Sequence, residues 1–486
     1  MKGIYLYYLA FFLFSFAGCK STDRDVNGRK SIVKQIQPTD FDYNKIKERG
    51  YLIALIDNSS TGLFLYKGRT MGYEYELLKM FTDSIGVGLR IEVVTNLEDA
   101  FEKLNKGEGD IMAYNLTVTK ERKERIAFSH YHNLVRLVLV QRKPDNWRDM
   151  KLHEIENTLI RNPVDLIGEM VYVRYQSSYF DRLINLADEI GGDIIIVEDD
   201  PETETEEIIR RVSDGEIDYT VAEEDVALVN ATYHTNLDVK TAVSFPQQIA
   251  WGVRKNAPFL LDTLNNWIVE MRKHPDYYTV YNKYYKSSKT SKRRKVSEYS
   301  TIGGGKLSPF DSLIKSNADS LGWDWRLLAA QIFKESKFDP KIVSWAGAVG
   351  LMQLLPTTGQ EYGVTNLKDP SLNLYAGRSH ILWLDDLWKE MVDDPNERLK
   401  FVLASYNVGH GHVRDARKLA KKYDVDPNDW TEVSEYLLKK SNPAYFNDPV
   451  VEFGYCRGIE PVQYVEIILD TYETYQAMFP DDEQAN

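Results

Sequence analysis

At 486 residues the chain is too long for one domain, and 43% hydrophobic against 27% charged residues lets each part bury a core of its own. A formal net charge of −13, with no arginine-rich face interleaved with aromatics, argues against nucleic acid as a partner. Two cysteines, Cys19 and Cys456, are too few for a structural zinc site.

In chain order, Lys2 precedes an apolar run from Ile4 to Ala17, the length of a signal-peptide core and short for a membrane span. The run ends in FAGC at Cys19. This resembles the lipobox of bacterial lipoproteins, with Phe16 in place of the usual aliphatic residue. The resemblance implies a lipoprotein signal peptide over 1–18, cleavage before Cys19, and acylation of Cys19 that ties the protein to a membrane without a spanning helix. A plain signal peptide with an incidental cysteine is the alternative. Lys20 is not the aspartate that retains many lipoproteins in the inner membrane, which points to the outer membrane and the periplasm. Residues 19–44 are polar and read as a tether. Cys456, with no neighbouring histidine in EFGYCRG, reads as a small core residue.

Patterned sequence follows. YLIALI (51–56) is a short apolar run bounded by turn residues, as a buried strand requires. YEYELLKMFTDSIG has helical apolar spacing and ends on Gly86. LRIEVV, LEDAFEKLNKGEGD and IMAYNL continue the alternation, and strand–helix–strand order predicts an α/β domain with a largely parallel sheet. A second such set begins at MVYVRY (170–175) and runs through DIIIVE to IDYTVAE. QIAWGVRKN and a helix through FLLDTLNNWIVEMRK complete this half.

MGYEYELLKMF, AFEKLNKGEGDIMAYNLTVTKERKERIAFS and GEIDYTVAEEDVAL make residues 45–286 resemble the family 3 extracellular solute-binding proteins. The resemblance implies a periplasmic-binding-protein-like fold of two α/β lobes joined by a hinge: lobe one at 45–141 and 249–286, lobe two at 142–248. It places ligand-binding roles on Thr117, Arg122 and Glu223. Arg122 matches the arginine that clamps a ligand carboxylate, and a planar guanidinium suits that task. Thr117 would add a hydroxyl, and Glu223 falls where the family holds the ligand amine, although the usual residue there is Asp; Asp225 lies nearby. The alternatives are a surface charge in KERKER for Arg122 and a rim carboxylate for Glu223.

Residues 287–305, with the basic run KTSKRRK and a glycine cluster, read as a solvated linker. From 306 to 480 the pattern is helical, which predicts an all-α domain. It opens with a capping box from Ser308 to Asp311, followed by Pro309 at a helix start. In AAQIFKESKFDP, Leu328, Ile332 and Glu335 stand at i, i+4 and i+7, so Glu335 shares the apolar face. Burial raises the pKa of a carboxyl, and a glutamic acid tuned toward neutrality can protonate a glycosidic oxygen. A helix-end Glu paired with Lys337 is the competing reading.

AAQIFKESKFDP, SWAGAVGLMQLLPTT, ASYNVGHGHV and GYCRGIEPVQYV occur in that order and together resemble the soluble lytic murein transglycosylase domain, a relative of goose-type lysozyme. With the binding-protein half, the chain resembles the membrane-bound lytic murein transglycosylase F type. The resemblance implies that Glu335 is the sole catalytic acid/base. It places peptidoglycan substrate contacts on Ser336, Gly350, Met352, Gln353, Tyr406, Asn407, Glu460 and Tyr464. Pro461 replaces the usual threonine after Glu460. The motif holds one carboxylate, whereas hydrolysis uses two; Asp339 in FDP reads as a helix-ending turn. The implied reaction is non-hydrolytic: the muramyl C6 hydroxyl displaces the neighbouring sugar and leaves a 1,6-anhydromuramyl end. The implied binding-protein half would sense a muropeptide or an amino acid. Competing readings are a hydrolytic muramidase and a binding scaffold with an inactive enzyme domain. His410 and His412 lack a third partner for a metal, and the reading needs no cofactor.

Overall fold

The computed structural model describes residues 37–286, 294, 297–302 and 304–480; Cys19, the signal peptide and most of KTSKRRK lie outside them. Among the described residues no helix is long and apolar enough to cross a membrane.

The first half is two α/β lobes. In lobe one, the buried strand Tyr51–Ile56 pairs in parallel with Gly88–Val93 on one side and Ile111–Met112 on the other. Gly252–Val253 and Ala127–Phe128 complete this five-stranded sheet with antiparallel pairings. The helix Tyr73–Ile85 stops at Gly86 (φ 65°), where a left-handed turn suits a residue without Cβ. Leu97–Lys106 starts on Asn96, whose side chain accepts from the backbone of Glu98 and Asp99, and ends at Gly107.

Lobe two has a sheet in the order Ile195–Glu198, Met170–Val173, Tyr219–Glu223, Leu137–Arg142, Leu237–Asp238. Leu137–Arg142 pairs antiparallel with Tyr219–Glu223, so lobe two begins before residue 142 and that boundary of the sequence reading moves upstream. Asn133–Val135 and Gln247–Ile249 pair with each other where the chain passes between lobes. Two further boundaries shift. Thr39 donates from its backbone to Asn105, and Arg254 bonds the Phe41 carbonyl, so the end of the expected tether is part of lobe one. Residues 299–301 run beside Phe64–Tyr66, with Thr301 N donating to Leu65 O at 3.1 Å, so this part of the expected linker extends a strand edge.

The second half is helical. Asp311 accepts from Ser308 N, and Ser308 Oγ accepts from Phe310 N rather than from Asp311 N, so the expected capping box forms only in part ahead of Asp311–Leu321, whose cap is Phe310. Pro370–Lys389 and Pro395–Val408 each start on an aspartate cap followed by proline, which fixes φ where the helix spares an N–H. Leu328, Ile332, Trp388, Phe401, Leu437 and Ile468 are buried between these helices. Ile459–Met478 packs against Trp325–Ser336 and Pro395–Val408, and against strand Gly88–Val93 of lobe one. Tyr475 donates to the Gly68 carbonyl at 2.6 Å and Arg90 meets Glu473 at 3.3 Å, so the two halves share an interface beside the end of the Glu335 helix.

Candidate active site

Trp325–Ser336 starts where Asp324 accepts from Arg326 N, and its apolar residues Leu327 to Ala330 and Ile332 are buried. It ends abruptly: Lys337 and Phe338 both take positive φ, 52° and 62°, which turns the chain away without a glycine. Phe333 and Phe338 pack together there, ring centroids 5.7 Å apart. Glu335 therefore sits in the last turn, half-buried, on the side of Leu328 and Ile332. Tyr464, from Ile459–Met478, donates to its Oε1 at 2.5 Å and receives a bond from Gln331 Nε2 at 3.3 Å. Burial pushes the Glu335 pKa up to about 7, against opposing effects of the Tyr464 bond and Lys334. The negative end of the helix dipole acts in the same direction as burial. Asp339 caps a turn by accepting from Lys341 N, as expected.

The glycine motif forms a tight loop beside this helix. Gly350 has φ 84°, and a Cβ there would overlap the Leu367 carbonyl and the Asn373 amide. Asn373 is fully buried and holds the loop on three sides: Nδ2 donates to Val349 O and Leu367 O, and Oδ1 accepts from Met352 N. Tyr406 donates to Met352 O at 2.8 Å. Gln353, at φ 49°, donates from Nε2 to Gly350 O and Ile342 O. Tyr406 and Tyr464 both feel the Glu335 charge, so helix end, loop and tyrosines form one constellation.

Three expected sugar contacts have other positions. Met352 is buried with its sulfur against Gly377, so its side chain fills the core and only its backbone serves the loop. Ser336 is buried and bonds back to Ile332 O within the helix. Glu460 is exposed and pairs with Arg457 at 2.9 Å on the surface. Asn407 is exposed in the last turn of the helix Pro395–Val408. Gln331 and Asn373 were not singled out, although each is a polar residue on an otherwise apolar helix face. His410 and His412 make no metal cluster among the described residues.

In the first half, Arg122 and Glu223 line a cavity between the lobes, together with Asp57, Arg174, Glu204 and Glu206. Thr117 contributes its carbonyl, which accepts from Arg122 Nη1 at 3.0 Å, rather than a hydroxyl in the lining. Burial lowers the Arg122 pKa to about 10, opposed by Glu223; burial raises Glu223, opposed by the bond from Tyr179. Asp225 is held by Asn133 and is not in this lining. The lobes are also tied directly, by Ser60 N to Glu206 Oε1 at 2.9 Å and by Arg174 Nη2 to Thr95 O at 2.8 Å.

Residues 56–287 match the family described as bacterial extracellular solute-binding proteins, family 3, and residues 312–428 match the transglycosylase SLT domain. A protein of Desulfosudis oleivorans named membrane-bound lytic murein transglycosylase F is 36% identical over 431 residues, 88% of this chain and 90% of that one. The chain belongs to the membrane-bound lytic murein transglycosylase F family. A Pseudomonas fluorescens protein of the same name is 29% identical over 88% of this chain and 85% of its own length. Among solved structures, holo ArgBP from T. maritima aligns with 49% of this chain and 98% of its own, at 23% identity and a TM-score of 0.40. That 431-residue match to a type F transglycosylase spans both the two-lobed domain and the helical domain carrying Glu335.

Proposed function

We propose that this chain cleaves the β-1,4 bond between N-acetylmuramic acid and N-acetylglucosamine in peptidoglycan without consuming water. The observation that carries this reading is a single half-buried carboxyl, Glu335, with its pKa pushed up to about 7 and the Tyr464 hydroxyl bonded to its Oε1. Protonated Glu335 gives its proton to the glycosidic oxygen as the C1–O bond breaks. The substrate's own N-acetyl oxygen stabilises the charge at C1. Glu335, now ionised, accepts the proton of the muramyl C6 hydroxyl as that oxygen bonds to C1, and the enzyme returns to its starting state. Tyr464 holds the carboxylate during the interval. Tyr406, Gln353 and Asn407 bind the sugar, over a backbone turn that Gly350 permits and that Tyr406 supports through Met352 O. Mass spectrometry of digested sacculi tests this: anhydromuramyl products are one water lighter than hydrolytic ones, and reducing muramyl ends would overturn the reading.

The cavity between the lobes binds a muropeptide or an amino acid, with Arg122 on a carboxylate and Glu223 on an amine. Calorimetric titration of the full chain with stem peptides and amino acids checks this, and the absence of heat with all of them would remove it. Cys19 carries the lipid that anchors the protein to the outer membrane, facing the periplasm. Its support is the apolar run and small residues before Cys19. A Cys19→Ala chain should lose metabolic fatty-acid label and fractionate away from the outer membrane.

A further inference from the structure

Beside the constellation around Glu335, the helix Pro370–Lys389 presents two tryptophans with opposite fates. Trp388 is fully buried and donates to Ser405 Oγ at 2.9 Å. Trp383 is 43% exposed, yet it is fixed on two sides. Its ring stacks on His380, with centroids 5.6 Å apart and planes within 15°. The His410 ring meets it edge-on at 5.1 Å and 83°. His380 stands at i−3 on the same helix, where side chains are neighbours. His380 is itself tied to the site: its Nδ1 lies 3.2 Å from the Tyr362 hydroxyl, and its ring centroid lies 5.5 Å from that of Tyr406. An aromatic path thus runs from the tyrosine that feels the Glu335 charge, through His380, to an indole held rigid with surface open to solvent.

Core packing does not require that open surface; a large apolar ring gains by burial, and this one is left accessible. A ring held in one orientation binds a partner at less entropic cost than a free one. We propose that Trp383 is a stacking platform for a further sugar ring of the glycan strand, beyond the two rings that flank the cleaved bond. This rests on the reading that Glu335 acts on a glycan. A polymer bound at Glu335 must continue past the cleaved bond, and the aromatic path is continuous with that site. The pyranose C–H face is apolar and suits an indole. His380 and His410 have lowered pKa values, first through burial, and neutral imidazoles suit such a wall.

The test uses the full chain and purified glycan strands of increasing, defined length. In the wild type kcat/KM should rise with length. Trp383→Ala should lose that rise, about five- to tenfold on long strands and through KM, with kcat and the shortest cleavable strand unchanged. Trp383→Tyr should restore most of it and Trp383→Leu should not, which separates stacking from apolar bulk. Equal losses at every length, or an undiminished rise in Trp383→Ala, would overturn the platform while leaving the reading of Glu335 intact. If Trp383→Ala does not fold, the contrast of Tyr with Leu decides. A wild type that cleaves no strand would overturn both.

Discussion

A carboxyl in the last turn of a buried helix lowers stability only once it ionises. Glu335 has its pKa raised from 4.5 to about 7, so the folded chain resists ionisation that the unfolded chain accepts. The stability it contributes is fully present below pH 4.5 and is lost as pH rises to about 7, to an extent on the order of 3 kcal/mol. Glu335→Gln should therefore melt with the wild type in acid and above it at pH 8, while activity falls by about 10²- to 10⁴-fold. Calorimetric scans at several pH values and turnover of sacculi check the two halves. Tyr464→Phe removes a bond that favours the carboxylate, so the alkaline limb of the pH–rate profile should move upward; a limb that stays in place would show that the hydroxyl does not act on Glu335. Glu335 was legible because its spacing with Leu328 and Ile332 set it on the apolar face. Ser336, Met352 and Glu460 were not, since a motif conveys that residues travel together but not which ones face the substrate. Met352 is needed to fill space against Gly377, and Ser336 to satisfy its own helix.

At the scale of elements, the loop before Leu354 depends on one buried amide. Asn373→Ala removes three hydrogen bonds and leaves buried backbone groups unpaired, at a cost of roughly 2–4 kcal/mol. Urea denaturation should show that loss, and activity should fall with it because Gly350 and Gln353 lose their support. Strands and helices with strong periodicity are legible: Tyr51–Ile56 and Tyr73–Ile85 fall where the apolar runs place them. The hairpin of Phe64–Tyr66 and Arg69–Met71 was missed, because three-residue strands carry too little alternation to register. The stretch 299–301 was read as linker because pairing to a distant edge leaves no local signal.

At the scale of the molecule, the hairpin turn of lobe one meets the end of the Glu335 helix. A Cβ on Gly68, which has φ 76°, would overlap the rings of Phe338 and Phe333. Gly68→Ala should destabilise the protein by about 1–3 kcal/mol and reduce turnover several-fold, although residue 68 lies in the binding-protein half. Thermal melts and turnover of sacculi test this together; unchanged turnover would mean that the interface does not set the Glu335 helix end. The domain order was readable in the sequence, but this contact was not, because it joins residues some 270 to 400 positions apart. One proton, that of Glu335, carries the proposed reaction. Infrared difference titration of the wild type against Glu335→Gln reads that carboxyl directly. A band titrating near pH 7, coincident with the alkaline limb of kcat/KM on sacculi, is the predicted result; a band titrating near 4.5 would contradict it.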